Sequence, residues 1–164
     1  MNPLEPPDIH YLQAAEGWLM LGDHLSAYEE LEKISPKMNL HIDVLHVRWH
    51  INAKEKKWDE CVDIGRTMVE LAPEHVRSWV NHGNAYFYQR RYQKAYDVLH
   101  PALVKYPKES SIPYNLACYT CQLGNLKDAK EWLVKALEHG GNELKRQALN
   151  DHDLEPLWEQ IREL

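Results

Sequence analysis

His46 and His50 stand four residues apart, so on a helix both imidazoles lie on one face, where two metal ligands would have to stand. A catalytic zinc needs three protein ligands and an open position, and no glutamate stands beside the first histidine as in HExxH. The better reading is a pair of polar histidines on a helix surface. Cys118 and Cys121 have the CxxC spacing of a redox dithiol. In such sites the reactive cysteine sits at a helix N-terminus, which favours the thiolate. Here both fall late in their helix, just before Gly124, where the dipole opposes a thiolate, and no second CxxC completes a zinc site. Asp151 and Asp153 read as helix caps rather than as paired catalytic carboxylates. P-loop, GxSxG and GxGxxG patterns are absent. The expectation is a chain that is not an enzyme and uses neither metal nor cofactor. The rival is a metal-binding or thiol-redox protein acting through His46, His50, Cys118 and Cys121.

Composition narrows the partner. The chain has 164 residues, fitting one domain, and a net charge of −6 with no Lys/Arg-rich run. Binding to nucleic acid or anionic membrane rests on neutralising phosphates, so neither is expected. No long apolar run or signal-peptide pattern appears, and the three cysteines are an odd number. Free thiols in a reducing cytoplasm are therefore expected. What remains is another protein as partner.

The elements that must carry these residues show best between Val76 and Glu109. Trp79, Gly83 and Tyr86 share one face of a first helix, and Tyr92, Ala95, Tyr96, Leu99, Ala102 and Leu103 recur at three- and four-residue spacing along a second. Pro107 ends the unit. Gly83, Ala95 and Ala102 let helices approach closely, and aromatic neighbours fill the grooves. A helix pair this short cannot bury its apolar face alone and must stack on a similar neighbour.

With Val76 as position 1, Trp79, Gly83, Tyr86, Ala95, Leu99, Ala102 and Pro107 resemble the tetratricopeptide repeat (TPR) consensus, whose period is about 34 residues. His82 stands where that family usually has leucine. Looser copies precede and follow. The resemblance implies an all-α, right-handed superhelix of about four antiparallel helix pairs in a single domain over 1–164. The repeats are expected at about 8–36, 42–75, 76–109 and 110–142, with a C-terminal cap at 143–164. Asp8 is read as the N-cap of the first helix, Gly22 as its end, and Ser35-Pro36 as an early close of that repeat. In repeat two, bulky Trp49 replaces a small residue, and Gly65 is expected to compensate. Ser111 should cap the first helix of repeat four and Asp153 the last helix of the cap. Gly124 and Gly140-Gly141 end the helices of repeat four. Pro101 lies inside the second helix of repeat three and predicts a bend over 97–101.

In the TPR family the first helices of successive repeats line a concave groove. Carried over position by position, the resemblance places His46, His50, Arg77, Asn81, Asn84, Tyr88, Tyr114, Asn115, Cys118 and Gln122 in it. Asparagines there would hydrogen-bond the backbone of a partner peptide, and Tyr88 and Tyr114 would supply rigid contact area. Some members clamp the terminal carboxylate of a chaperone with lysines and an arginine. Here His46, Ser111 and Asn115 hold those positions, which speaks against that role. The function implied is a non-catalytic adaptor or chaperone-like module holding a peptide or helix of another protein. Weak homo-oligomerisation through an exposed end is a further expectation.

Overall fold

Short antiparallel helices joined by glycine-bearing or polar turns build the computed structural model, which describes residues 3–163. The chain divides into two compact units, Met1–Asn81 and His82–Leu164, and the division falls inside α5 (Val76–Tyr88). No strand occurs among the described residues, and no helix among them is long and apolar enough to cross a membrane.

The first unit contains α1 (Asp8–Met20), α2 (His24–Leu31), a 3₁₀ turn at Pro36–Met38, α3 (Ile42–Lys54), α4 (Trp58–Leu71) and the start of α5. Its core gathers Leu12 and Ala15 from α1, Ala27 and Leu31 from α2, and Val44, Val47 and Ile51 from α3. Gly22, at φ 83°, ends α1 in the left-handed region that a side chain disfavours. Asp23 then caps α2 by accepting from Ser26 N at 3.0 Å. Asp8 does not cap α1: the cap position is Pro7, and the Asp8 carboxylate instead accepts from Ser35 N at 2.9 Å and Ser35 Oγ at 2.5 Å. Those bonds hold its pKa below the usual carboxylate value. The reading failed because a partner 27 residues away competes for the same oxygens. Trp49 is buried, as is Gly65, and the Cys61 thiol donates to the Trp49 carbonyl at 3.5 Å.

The second unit continues α5 and adds α6 (Tyr92–Leu99), α7 (Ala102–Lys105), α8 (Ser111–Gln122), α9 (Leu126–Ala148), a 3₁₀ stretch at His152–Leu157 and α10 (Trp158–Glu163). The helix after Arg91 breaks at Pro101, with α6 ending at Leu99 and α7 starting at Ala102, because proline offers no N–H to continue the ladder. Gly83 is required where α5 meets α8: a Cβ there would stand 2.8 Å from the Tyr119 hydroxyl. Gly141, at φ 57° and ψ −156°, interrupts α9 where the last helix pair was expected to end. Two expected caps move. Ser111 opens α8 without capping it, and the Glu109 carboxylate accepts from its N–H and hydroxyl at 3.3 and 2.9 Å. Asp151, not Asp153, caps the terminal 3₁₀ stretch, accepting from Asp153 N at 3.0 Å. Beyond α9 the chain is fastened by the Trp158 indole N–H, which donates to the carbonyls of Ala148 and Asp151 at 3.1 and 3.2 Å. It also buries Leu154, Leu157 and Ile161.

Candidate functional site

Each unit carries a depression lined by residues of the expected groove. In the first unit α1, α3 and the start of α5 enclose about 420 Å³. Because α3 is helical over Ile42–Lys54, His46, His50 and Lys54 recur every four residues along one face, and Val47 lies beside them. Arg77 comes from the first turn of α5, and Leu19 and Met20 from the end of α1.

His46 and His50 stack with ring centroids 6.2 Å apart and planes 17° from parallel. The Asn81 side-chain amide donates to His46 Nδ1 at 3.2 Å, which places the proton of the neutral ring on Nε2. Burial, with Arg77 and His50 adding like charge, pushes the His46 pKa down to about 4. His50 is lowered too, by burial first and then by Lys54 and Arg77. Both rings are therefore neutral near pH 7. His46 Nδ1 is occupied by Asn81, and no three His, Cys, Asp or Glu side chains converge among the described residues.

In the second unit the end of α5, the groove side of α8 and the chain after Gly141 enclose a cavity of about 300 Å³. Asn84, Tyr88, Tyr114, Asn115 and Cys118 all line it, so five of the expected site residues come together. Tyr88 is 53% exposed, whereas Tyr114 is buried and its hydroxyl donates to Asp151 at 2.7 Å. Burial, then hydrogen bonding to Asp151, raises the Tyr114 pKa. Asn84 accepts from the Tyr119 hydroxyl at 2.6 Å, and Asn115 donates to the Ser111 carbonyl at 2.7 Å. Gln122 donates to the Asp153 carbonyl at 3.0 Å and lines a neighbouring depression with Tyr88. Burial, followed by the charge of Asp151, pushes the Cys118 thiol well up; burial brings Cys121 to about 11. Both cysteines therefore hold their protons and pack in the core.

The asparagines are thus less available than the sequence implied: Asn81 is buried against His46, and Asn84 and Asn115 already use one polar atom each. Sequence reasoning also missed wall residues. Lys54 lies one helical turn beyond His50, and that spacing would have found it. Leu144, Gln147, Asp151 and Asp153 come from the tail and wall the second cavity. The tail was expected only to cover an apolar end, and nothing in its local pattern announces where it folds back.

No family model and no curated protein sequence matches the chain. Solved structures do. A crystal structure of MamA is 15% identical with a TM-score of 0.71, the match covering 85% of this chain and 81% of that one. A second MamA structure, MSR-1, is 22% identical with a TM-score of 0.66, covering 81% and 76%. The Cut9–Hcn1 hetero-tetramer of the APC/C is 16% identical with a TM-score of 0.73, covering 92% of this chain and 29% of that one. With the helix pairs described above, these likenesses show that the chain has an all-α fold of the tetratricopeptide-repeat type.

Proposed function

We propose that the chain is a non-catalytic interaction module that holds a segment of a partner protein in its groove. The observation that carries this reading is the depression in each unit, walled by helices and lined by residues that the resemblance assigns to a binding face. A surface built in advance spares much of the ordering entropy of binding. The chemistry of the walls favours holding over reacting. Cys118 and Tyr114 keep their protons, and the His46 and His50 rings are neutral. The half-exposed Tyr88 offers an aromatic anchor of the kind that dominates interfaces.

The test is selection of a random dodecapeptide display library on the full chain, followed by anisotropy titration of synthesised winners. Tyr88→Ala or Arg77→Ala is expected to weaken the winners about tenfold, the loss of one good anchor. Winners that bind every groove variant as well as the parent would move the binding surface elsewhere and end this reading.

Self-association is favoured by a separate observation: Met20, Leu21 and Leu25 are 90, 77 and 63% exposed around the α1–α2 turn. Sedimentation velocity across a hundredfold concentration range tests it. A constant monomer would exclude it, and a Leu21→Glu/Leu25→Glu variant should abolish any dimer.

A further inference from the structure

We infer that the cavity of the second unit holds an organic cation, the ammonium end of an aliphatic chain, between aromatic walls and the carboxylates of Asp151 and Asp153. At about 300 Å³ it sits at the small end of ligand cavities, roughly 300–1,000 Å³, so it fits a head of side-chain size and not a folded segment. Four aromatic rings line it: Phe87, Tyr88, Tyr114 and Tyr119. The Phe87 ring centroid lies 5.6 Å from that of Tyr88 and 5.2 Å from that of Tyr119. The lining holds no lysine, arginine or histidine.

Both carboxylates come from the tail. Asp151 is met by neutral donors, the Tyr114 hydroxyl on Oδ2 at 2.7 Å and the Asp153 N–H on Oδ1 at 3.0 Å. No described group donates to the Asp153 carboxylate, and neither aspartate has a described cation within 4 Å. Arg90 shares the neighbouring depression with Asp153, but it is exposed and forms no such pair. Two half-buried negative charges therefore face one cavity without a counter-charge in its lining. Their field reaches its far wall: after burial, the charges of Asp153 and Asp151 raise the Tyr88 pKa, and Asp151 raises that of Asp153.

An anion would meet like charge here. A hard metal ion takes six or more oxygen ligands, and ring faces supply none; no three His, Cys, Asp or Glu side chains converge among the described residues. An ammonium uses both halves of the lining. It donates three hydrogen bonds, and it is attracted to the faces of aromatic rings. Asn115 lines the cavity with its amide nitrogen already spent on the Ser111 carbonyl, which leaves its oxygen as an acceptor beside Asp153. A partner's lysine and a free alkylamine carry the same group. The inference goes beyond the interaction module and does not need it, since a free amine would fill the cavity of a chain that holds no peptide.

The experiment titrates the full chain, at constant ionic strength and pH 7, with Nα-acetyl-lysine methylamide, pentylamine and the uncharged Nα-acetyl-norleucine methylamide. Amide and ring shifts are followed by NMR. Both cations are expected to give saturable shifts at Tyr88, Cys118 and Asp153, and the norleucine derivative none. A lysine derivative that binds about tenfold tighter than pentylamine assigns the site to a partner's lysine, and equal or reversed affinities assign it to a free amine. Asp153→Asn should weaken both about tenfold, as for a lost charge-assisted bond. The change leaves in place the two bonds that Asp153 makes, both through its backbone. Should that variant not fold, Tyr88→Leu, at an exposed position, is expected to cost about two- to fivefold by removing a ring face. Any of four results overturns the inference: no saturation below about 20 mM of either cation, equal binding of the norleucine derivative, saturation of the same shifts by calcium alone, or affinity unchanged in the folded variant.

Discussion

The side-chain amide of Asn81, on α5, donates to Nδ1 of His46, on α3, at 3.2 Å, and both residues are more than nine-tenths buried. The bond ties two helices of the first unit together and fixes which ring nitrogen of His46 carries the proton. His46 Nε2 already lacks a partner. Removing the amide strands a second buried ring nitrogen, which costs on the order of 1–3 kcal/mol. Asn81→Ala should therefore lower the thermal midpoint measurably by circular dichroism. A midpoint within a degree of the parent would show that water replaces the amide freely.

The same histidine makes stability depend on pH. Its folded pKa, about 4, lies below the unfolded value near 6.5, so protonation favours the unfolded chain. The stability owed to the neutral ring is complete above about pH 6.5 and is lost as pH falls toward 4. The full difference is on the order of 3 kcal/mol. His50 acts in the same direction. Urea unfolding at pH 7, 5.5 and 4.5 should show His46→Gln losing less stability between pH 7 and 4.5 than the parent. Parallel slopes for the two proteins would remove His46 as the titrating group.

Gly83 and Tyr119 form a tight pair in the second unit. A Cβ at position 83 would come within 2.8 Å of the Tyr119 hydroxyl and 3.3 Å of its ring. That hydroxyl is held by its bond to Asn84 and cannot swing away without losing it. Gly83→Ala should cost about 1–3 kcal/mol by overpacking. Tyr119→Phe removes the clashing oxygen, so the double variant should be less damaged than the sum of the two single changes. Strict additivity in chemical denaturation would place the strain elsewhere.

Thiol chemistry should report the burial of the cysteines. Cys61, Cys118 and Cys121 are at most 5% exposed, and burial pushes Cys61 up to about 12 and Cys121 to about 11. Ellman's reagent at pH 7.5 should leave the folded chain unmodified over minutes and titrate the three thiols in denaturant. A thiol that reacts at once in the folded chain would restore the redox reading of the Cys118–Cys121 pair.

How far the site was legible depends on where its bonds run. The breaks at Gly22, Pro101, Gly124 and Gly141 follow from local backbone chemistry, a left-handed φ or a missing N–H, and each is visible in the residue type alone. The faces of α3, α5 and α8 were legible because side chains three and four apart share a side of a helix whatever surrounds it. That is why His46, His50 and Arg77 meet in one depression, and Asn84, Tyr88, Tyr114, Asn115 and Cys118 in another.

The sequence by itself thus determined the helical repeat, its punctuation and the sides its helices present, since each rests on interactions within a few residues. Tertiary structure decided what those sides still have to offer. His46 with Asn81 and Asn84 with Tyr119 lie 35 residues apart, and Tyr114 with Asp151 lies 37 apart. A period near 34 brings such partners close, but only the packing distance between helices, set by residues as small as Gly83, selects which polar atoms bond and which stay open.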